Sequence, residues 1–327
     1  MVMPMDAVAN SLSTRDRFRD WALLLVCNLI WASQFAIVKL VQTQMGFIFA
    51  TFFPMTIATL ILVPVVMWRR RAALEQHGRP AWSASDVGHF VLLGVLGQVV
   101  AQLFVTWGTN LSTASNAALL FLSLPIVTTI MAFFLLGERL TVLRLIALGL
   151  ALLGVVGSSG IDLADLRFTG TYTMMGNLLI FASVGGSAFY NVYSKRLMHR
   201  FAPLEVLLYS YLAVFVFMLP ITLALEPRGF LNLPHYSLSV WAGLLMLAIL
   251  QYALSMIIFL RVLRRIDATQ AAVMNYLIPF LGVIIGWAVL NERLTGFMVV
   301  GGALGLASTL LATVFDKPQT PAIASDS

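Results

Sequence analysis

The chain has 327 residues, of which 60% are hydrophobic and only 10% charged, with a formal net charge of +6 and a mean hydropathy of +0.92. A soluble domain carries about 25% charged residues, so this composition excludes a water-soluble globule. The basic surplus fits the Lys- and Arg-rich cytoplasmic loops of a membrane protein, with the lipid bilayer as its surroundings and no nucleic acid as a partner.

Residues 1–20 (MVMPMDAVANSLSTRDRFRD) are polar and read as a cytoplasmic N-terminal segment. The apolar run that follows is full length and no small-residue cleavage site closes it, so Trp21 onward is expected to be a retained span rather than a signal peptide. Apolar runs between charge or turn clusters predict ten helices, at about 21–41, 46–68, 87–107, 115–136, 140–160, 172–194, 203–225, 238–260, 268–290 and 294–315. Each is close to the roughly 20 residues that cross a bilayer. The polar stretch 161–170 (IDLADLRFTG) connects a first five-helix unit, 21–160, to a second, 171–315, and residues 316–327 form a cytoplasmic tail. Prolines and glycines inside the spans (Pro54, Pro64, Pro125, Pro279, Gly185, Gly186, Gly301, Gly302) are compatible with this, because kinks and close helix approach are common in membranes. The fold class expected is an all-α membrane protein.

The two units are related in sequence. Residues 116–159 align without a gap to residues 270–313, an offset of 154, and the proline (Pro125, Pro279) and a Glu-Arg-Leu-Thr corner (from Glu138 and Arg139, and from Glu292 and Arg293) recur in both. Placing the N-terminus inside puts sixteen Lys and Arg residues in inside segments and four (Lys39, Arg167, Arg228, Arg293) in outside ones. That asymmetry supports both termini in the cytoplasm and an even number of spans. Five spans per unit make the second unit enter the membrane in the opposite sense, so the corners fall on opposite faces, Arg139 inside and Arg293 outside. An inverted repeat of this kind implies alternating access around a site near the midplane.

Residues 28–40 (NLIWASQFAIVKL), the two Glu-Arg-Leu-Thr corners after proline-containing spans, and the ten-helix duplication resemble the EamA-type branch of the drug/metabolite transporter superfamily, over residues 21–315. The resemblance implies a bundle whose central cavity is lined by the first, third, fourth, sixth, eighth and ninth spans. It also implies a bacterial inner membrane and export of amino acids, metabolites or toxic compounds.

Polar side chains inside hydrocarbon need a partner or a wet cavity. Gln98 and Gln102 lie four residues apart on the third span, and Gln251, Tyr252 and Ser255 lie on the eighth, with Tyr252 at the repeat position of Gln98. The first span offers Asn28, Trp31, Gln34 and Phe35, the sixth Tyr190 and Asn191, and the ninth Asn275 and Tyr276. These residues either line a substrate cavity or tie the helices together by hydrogen bonds. Trp31 sits halfway along its span, where an interfacial anchor is out of place, whereas Trp107 and Trp241 lie near span ends as anchors do. Lys39 and Lys195 end equivalent spans; they either snorkel to the interface or serve a structural or gating role, since the resemblance often places a lysine there. Glu138 and Glu292 are expected to cap or pair at the corners, with Arg139, Arg144 or Arg293 as partners.

No Asp, Glu, Lys or Arg falls near the middle of a span. That argues against a proton-coupled carboxylate and against a phosphorylated substrate, which would call for arginine forks. The one cysteine, Cys27, rules out an internal disulfide, the four histidines stand singly, and no nucleophile–base pair or phosphate loop is seen, so no cofactor, metal site or enzyme activity is expected. The reading that results is a monomeric exporter of small organic metabolites, amino acids or aromatic amino-acid-like compounds, facilitative or exchanging. The alternatives are efflux of lipophilic cations and, from a different class, a membrane scaffold or sensor.

Overall fold

The structure, a computed structural model, describes residues 14–77, 83–111, 120, 121, 123–138, 141–143, 145–147, 149, 150, 153, 171–275, 277, 278, 281, 303, 304, 307 and 311. The described residues are helical, with no strand among them. Helix α1 runs over Thr14–Val41, α2 over Phe47–His77, α3 over Ala84–Leu111, α4 over Leu124–Leu136, α5 over Thr171–Leu197 and α6 over Pro203–Leu225. After the short α7 (Arg228–Leu231), α8 covers Leu238–Leu263 and α9 Ala268–Met274. Among the described residues, the apolar stretches Phe47–Arg69, Ala84–Leu111, Pro203–Leu225 and Leu238–Leu263 are each long enough to cross a bilayer. The remainder of the fifth, ninth and tenth expected spans lies outside the described residues.

Several helices outrun the apolar runs that announce them. The second expected span stops at residue 68, yet α2 continues to His77, because the Arg, Ala, Leu, Glu and Gln residues that follow are good helix formers. Pro125, which falls inside the fourth expected span, stands in the first turn of α4, where its missing N–H costs no hydrogen bond. Gly137 then ends α4 at φ 67°, a left-handed conformation that suits glycine.

The helices pack α3 against α5, α4 against α5 and α9, and α2 against α6 and α8, with α1 laid along α8 and α9. Two glycines set the α3–α5 distance. A Cβ on Gly186 would lie 2.8 Å from the Ala101 backbone nitrogen, and one on Gly108 would lie 2.7 Å from the Gly176 carbonyl oxygen. Close backbone approach through small residues is the usual way that helices bind in lipid.

Each end of the bundle is fastened differently. At one end the Glu226 carboxylate accepts from Ile48 N (3.2 Å) and Phe49 N (2.8 Å), an anion seated on the start of α2. Phe230 of α7 packs edge-on against Phe49 there. At the other end three ion pairs join segments distant in sequence: Arg200–Asp86 (2.7 Å), Arg265–Asp20 (3.2 Å) and Lys195–Glu138 (3.1 Å).

Candidate functional site

Helices α3 and α8 share an irregularity. Each opens from α- to π-helical winding, over Leu93–Val99 in α3 and Leu247–Ser255 in α8, and the two π segments start 154 residues apart, the offset of the sequence repeat. Ser83 and Ser237, which precede the two helices, keep the same offset. A π turn inserts a residue and re-aims the side chains around it, and such turns concentrate at functional sites. Here they carry Gln98 on α3 and Gln251, Tyr252 and Ser255 on α8, all buried.

Three glutamines meet between α1, α3 and α8. Gln251 Nε2 donates to Gln34 Oε1 (2.7 Å), and Gln34 Nε2 donates to Gln102 Oε1 (3.3 Å), which also receives the Tyr252 hydroxyl (3.5 Å). A row of neutral amides has a free carbonyl at one end and a free N–H at the other, whichever way the amides are turned. Below this row Trp31 Nε1 donates to Ser255 Oγ (3.0 Å), Ser255 Oγ donates to the Gln251 carbonyl, and the Trp31 ring meets Phe259 edge-on at 5.1 Å. Cys27, the buried thiol, donates to the Ser255 carbonyl at 3.3 Å. Asn28 plays a different part, since its Nδ2 donates to the Met274 carbonyl (2.7 Å) and ties α1 to α9.

A second polar group adjoins the first. The hydroxyl of Tyr190 on α5 lies beside Gln98 and Ser210, outside hydrogen-bond geometry. Tyr211 donates its hydroxyl to the Tyr252 carbonyl (2.8 Å), which links the two groups through α6. Gln98 Oε1, Gln251 Oε1 and the Tyr190 hydroxyl are buried polar atoms that no protein group satisfies, among the described residues. Native interiors leave few such atoms. All three keep hydrogen-bonding capacity that the described protein groups do not use.

The remaining sequence candidates sit at the edges of this region. Asn191 is buried on α5, with its carbonyl accepting from Ser194 Oγ (3.2 Å), and the Asn275 carbonyl closes a turn by accepting from Ile278 N (3.0 Å). Lys195 does not snorkel: its ammonium donates to Glu138 and to the Ile266 carbonyl. Glu138 both pairs with that lysine and caps α9, accepting from Ala268 N (2.9 Å). Trp107 stacks on Phe47 at 5.1 Å, and Trp241 meets Phe53 edge-on at 6.0 Å. The side chains of Phe35 and Lys39, and Arg139, Tyr276, Pro279, Glu292 and Arg293 altogether, lie outside the described residues.

Sequence reasoning missed Ser210 and Tyr211, which belong to an α6 that reads as apolar throughout. The signal available was a Tyr-Ser-Tyr triplet (209–211) in the middle of a long span. It also missed Asp267, whose carboxylate lies 3.6 Å from Lys195. Among the described residues no group of three His, Cys, Asp or Glu side chains is placed to hold a metal ion.

The family model described as EamA-like transporter family matches residues 21–160 and 174–314, that is, both repeats. An uncharacterised transporter from Archaeoglobus fulgidus is 25% identical over 89% of this chain and 96% of its own. A probable terminal-alkyne amino-acid exporter from Streptantibioticus cattleyicolor is 27% identical over 89% of this chain and 92% of its own. A solved crystal structure, 19% identical, superposes with a TM-score of 0.73 over 91% of this chain and 97% of that one, which shows a shared fold.

Proposed function

The chain belongs to the EamA-like transporter family, an integral membrane transporter and not an enzyme, and from that premise we propose that it exports amino acids or aromatic amino-acid-like compounds by alternating access. The observation that carries this reading is the partly buried row Gln251–Gln34–Gln102, flanked by Tyr252 and Trp31. Neutral amides offer donors and acceptors together with no net charge. An ammonium group fits the carbonyl oxygens of Gln251 and Gln98, a carboxylate fits the amide N–H and tyrosine hydroxyls, and an aromatic side chain fits the Trp31 face. The name of the Streptantibioticus relative, an amino-acid exporter, points the same way.

The membrane arrangement proposed is ten spans in two inverted units, both termini in the cytoplasm, in a bacterial inner membrane. Its support in the fold is the common finish of α4 and α5: Glu138, just beyond α4, and Lys195, in the last turn of α5, stand 3.1 Å apart, so the two helices run in the same sense. A cysteine next to Arg293 is expected to react with an impermeant reagent from outside and one next to Arg139 from inside. Labelling of both from the same side removes the inverted repeat.

The charged groups described lie at helix ends rather than beside the amide row, which favours facilitated export or exchange over tight proton coupling. Counterflow in liposomes tests this. Saturable exchange of amino acids, indifferent to an imposed proton gradient, is expected. Uptake of lipophilic cations that collapses with the gradient would replace the reading with drug efflux.

A further inference from the structure

We propose that Lys195, Glu138 and Asp267 form a latch that closes one end of the substrate path and has to open for substrate to pass, an inference that rests on the transporter reading above. Lys195 stands in the last turn of α5. Its ammonium donates to Glu138 Oε1 (3.1 Å) and to the Ile266 carbonyl (2.7 Å) and lies 3.6 Å from Asp267 Oδ1. An ammonium carries three donors, and these three oxygens come from just beyond α4 and from the connection between α8 and α9. Glu138 Oε1 accepts from Ala268 N as well, at the first residue of α9. One cation and its carboxylates therefore hold the ends of α4, α5, α8 and α9 together.

Two features separate this cluster from ordinary surface pairing. The first is depth. The Lys195 side chain is 11% exposed and both of its carboxylates are buried with it, whereas the cations of the other two pairs at that end, Arg200 and Arg265, are 51% and 39% exposed and only their partners Asp86 and Asp20 are buried. Exposed pairs contribute little, and a buried pair is better understood as a device that selects one arrangement over another than as a source of stability. The second is position. Asn191 lies one turn deeper than Lys195 on the same face of α5. Of the four helices held, α8 carries Gln251 and Tyr252, and α9 is bonded to α1 through Asn28 and Met274. Releasing the latch frees the helices around the amide row, while the apolar packing along their lengths stays in place.

The sequence repeats the pair. At an offset of 154 Glu138 corresponds to Glu292, and at 156 Lys195 corresponds to Lys39; Asp267 corresponds to Thr113. An inverted repeat assigns these sequence counterparts, Lys39 and Glu292, to the opposite end, which is what a device that opens the two ends alternately requires. The Asp267 end is the one that the described cluster closes. By the positive-inside rule that end faces the cytoplasm.

Cys27 is the only native cysteine, so a Cys27→Ala background carrying Asn191→Cys reports access just beyond the latch. The full-length protein in vesicles is treated with an impermeant maleimide at the Lys/Arg-rich end. With the latch intact, labelling is expected to be slow; Glu138→Gln should speed it roughly tenfold, as expected from the loss of one charge-assisted hydrogen bond, and Lys195→Met should do the same. Unchanged labelling in both variants overturns the latch. So does a rise that is equal from both ends, which marks the cluster as structural glue. Amino-acid counterflow measured in matching vesicles with the protein that keeps Asn191 separates the two readings, because end-specific labelling of the reporter without any exchange by that protein leaves the latch standing and removes the substrate assignment.

Discussion

Gln251→Ala is expected to lower the apparent affinity for a transported amino acid by about tenfold to a hundredfold while leaving the yield of folded protein intact. The amide of Gln251 donates to Gln34 at 2.7 Å, and its carbonyl oxygen is buried with no protein donor among the described residues. Removing it strands the Gln34 carbonyl and withdraws an acceptor offered to the guest. A buried polar group left unmatched costs about 1–3 kcal/mol, and about 1.4 kcal/mol corresponds to a factor of ten in affinity. Gln34→Ala interrupts the row in the middle, leaves the Gln251 amide without its acceptor and Gln102 Oε1 with the Tyr252 hydroxyl alone, and should cost at least as much. Because the two variants break the same bond, the double variant is expected to lose less than the sum of the single losses. Counterflow KM values for the four proteins supply the cycle. Wild-type KM in Gln251→Ala and Gln34→Ala, accompanied by a lowered melting temperature, would show that the amides only bind the helices to one another.

The residue types behind this prediction are legible in the sequence itself. Amides at mid-depth in spans one, three and eight stand out against an apolar background, and the 154-residue offset relates α3 to α8. The structure adds that the offset extends to the π winding at Leu93–Val99 and Leu247–Ser255, which no residue pattern announces. Backbone winding of that sort follows from packing between helices, not from propensity. Partner choice is equally hidden. Gln34 and Gln251 stand 217 residues apart, so periodicity places each on a face without saying which faces meet. The same limit explains Glu138. Its nearest basic residues in the chain are Arg139 and Arg144, yet the described partner is Lys195, which lies 57 residues away and reaches it because α4 and α5 finish side by side. Tyr211 escapes notice because a single hydroxyl barely lowers the hydropathy of α6, although in the fold it bonds the Tyr252 backbone beside the amide row.

The adjacent glycines of α5 are expected to part company on substitution. Gly186→Ala should destabilise the protein by about 1–3 kcal/mol or more, the range seen when volume is forced into a packed interior, whereas Gly185→Ala should be neutral or slightly stabilising. A Cβ on Gly186 would stand 2.8 Å from the backbone nitrogen of Ala101 and 2.9 Å from Val100 Cγ1, while one on Gly185 would meet nothing within 4 Å. The Ala101 nitrogen cannot swing aside as a flexible side chain would, so α3 has to move away from α5. Gly185 faces open space, and alanine there relieves only the conformational freedom that glycine brings to a helix. The consequence reaches the site, because Ala101 neighbours Gln102 and follows the π segment that carries Gln98. Gly186→Ala should therefore reduce transport per folded molecule as well as melting temperature in detergent, and Gly185→Ala neither. Equal melting temperatures for the two variants would mean that the α3–α5 contact is looser than the backbone distances require, and with it the placement of Gln98 and Gln102.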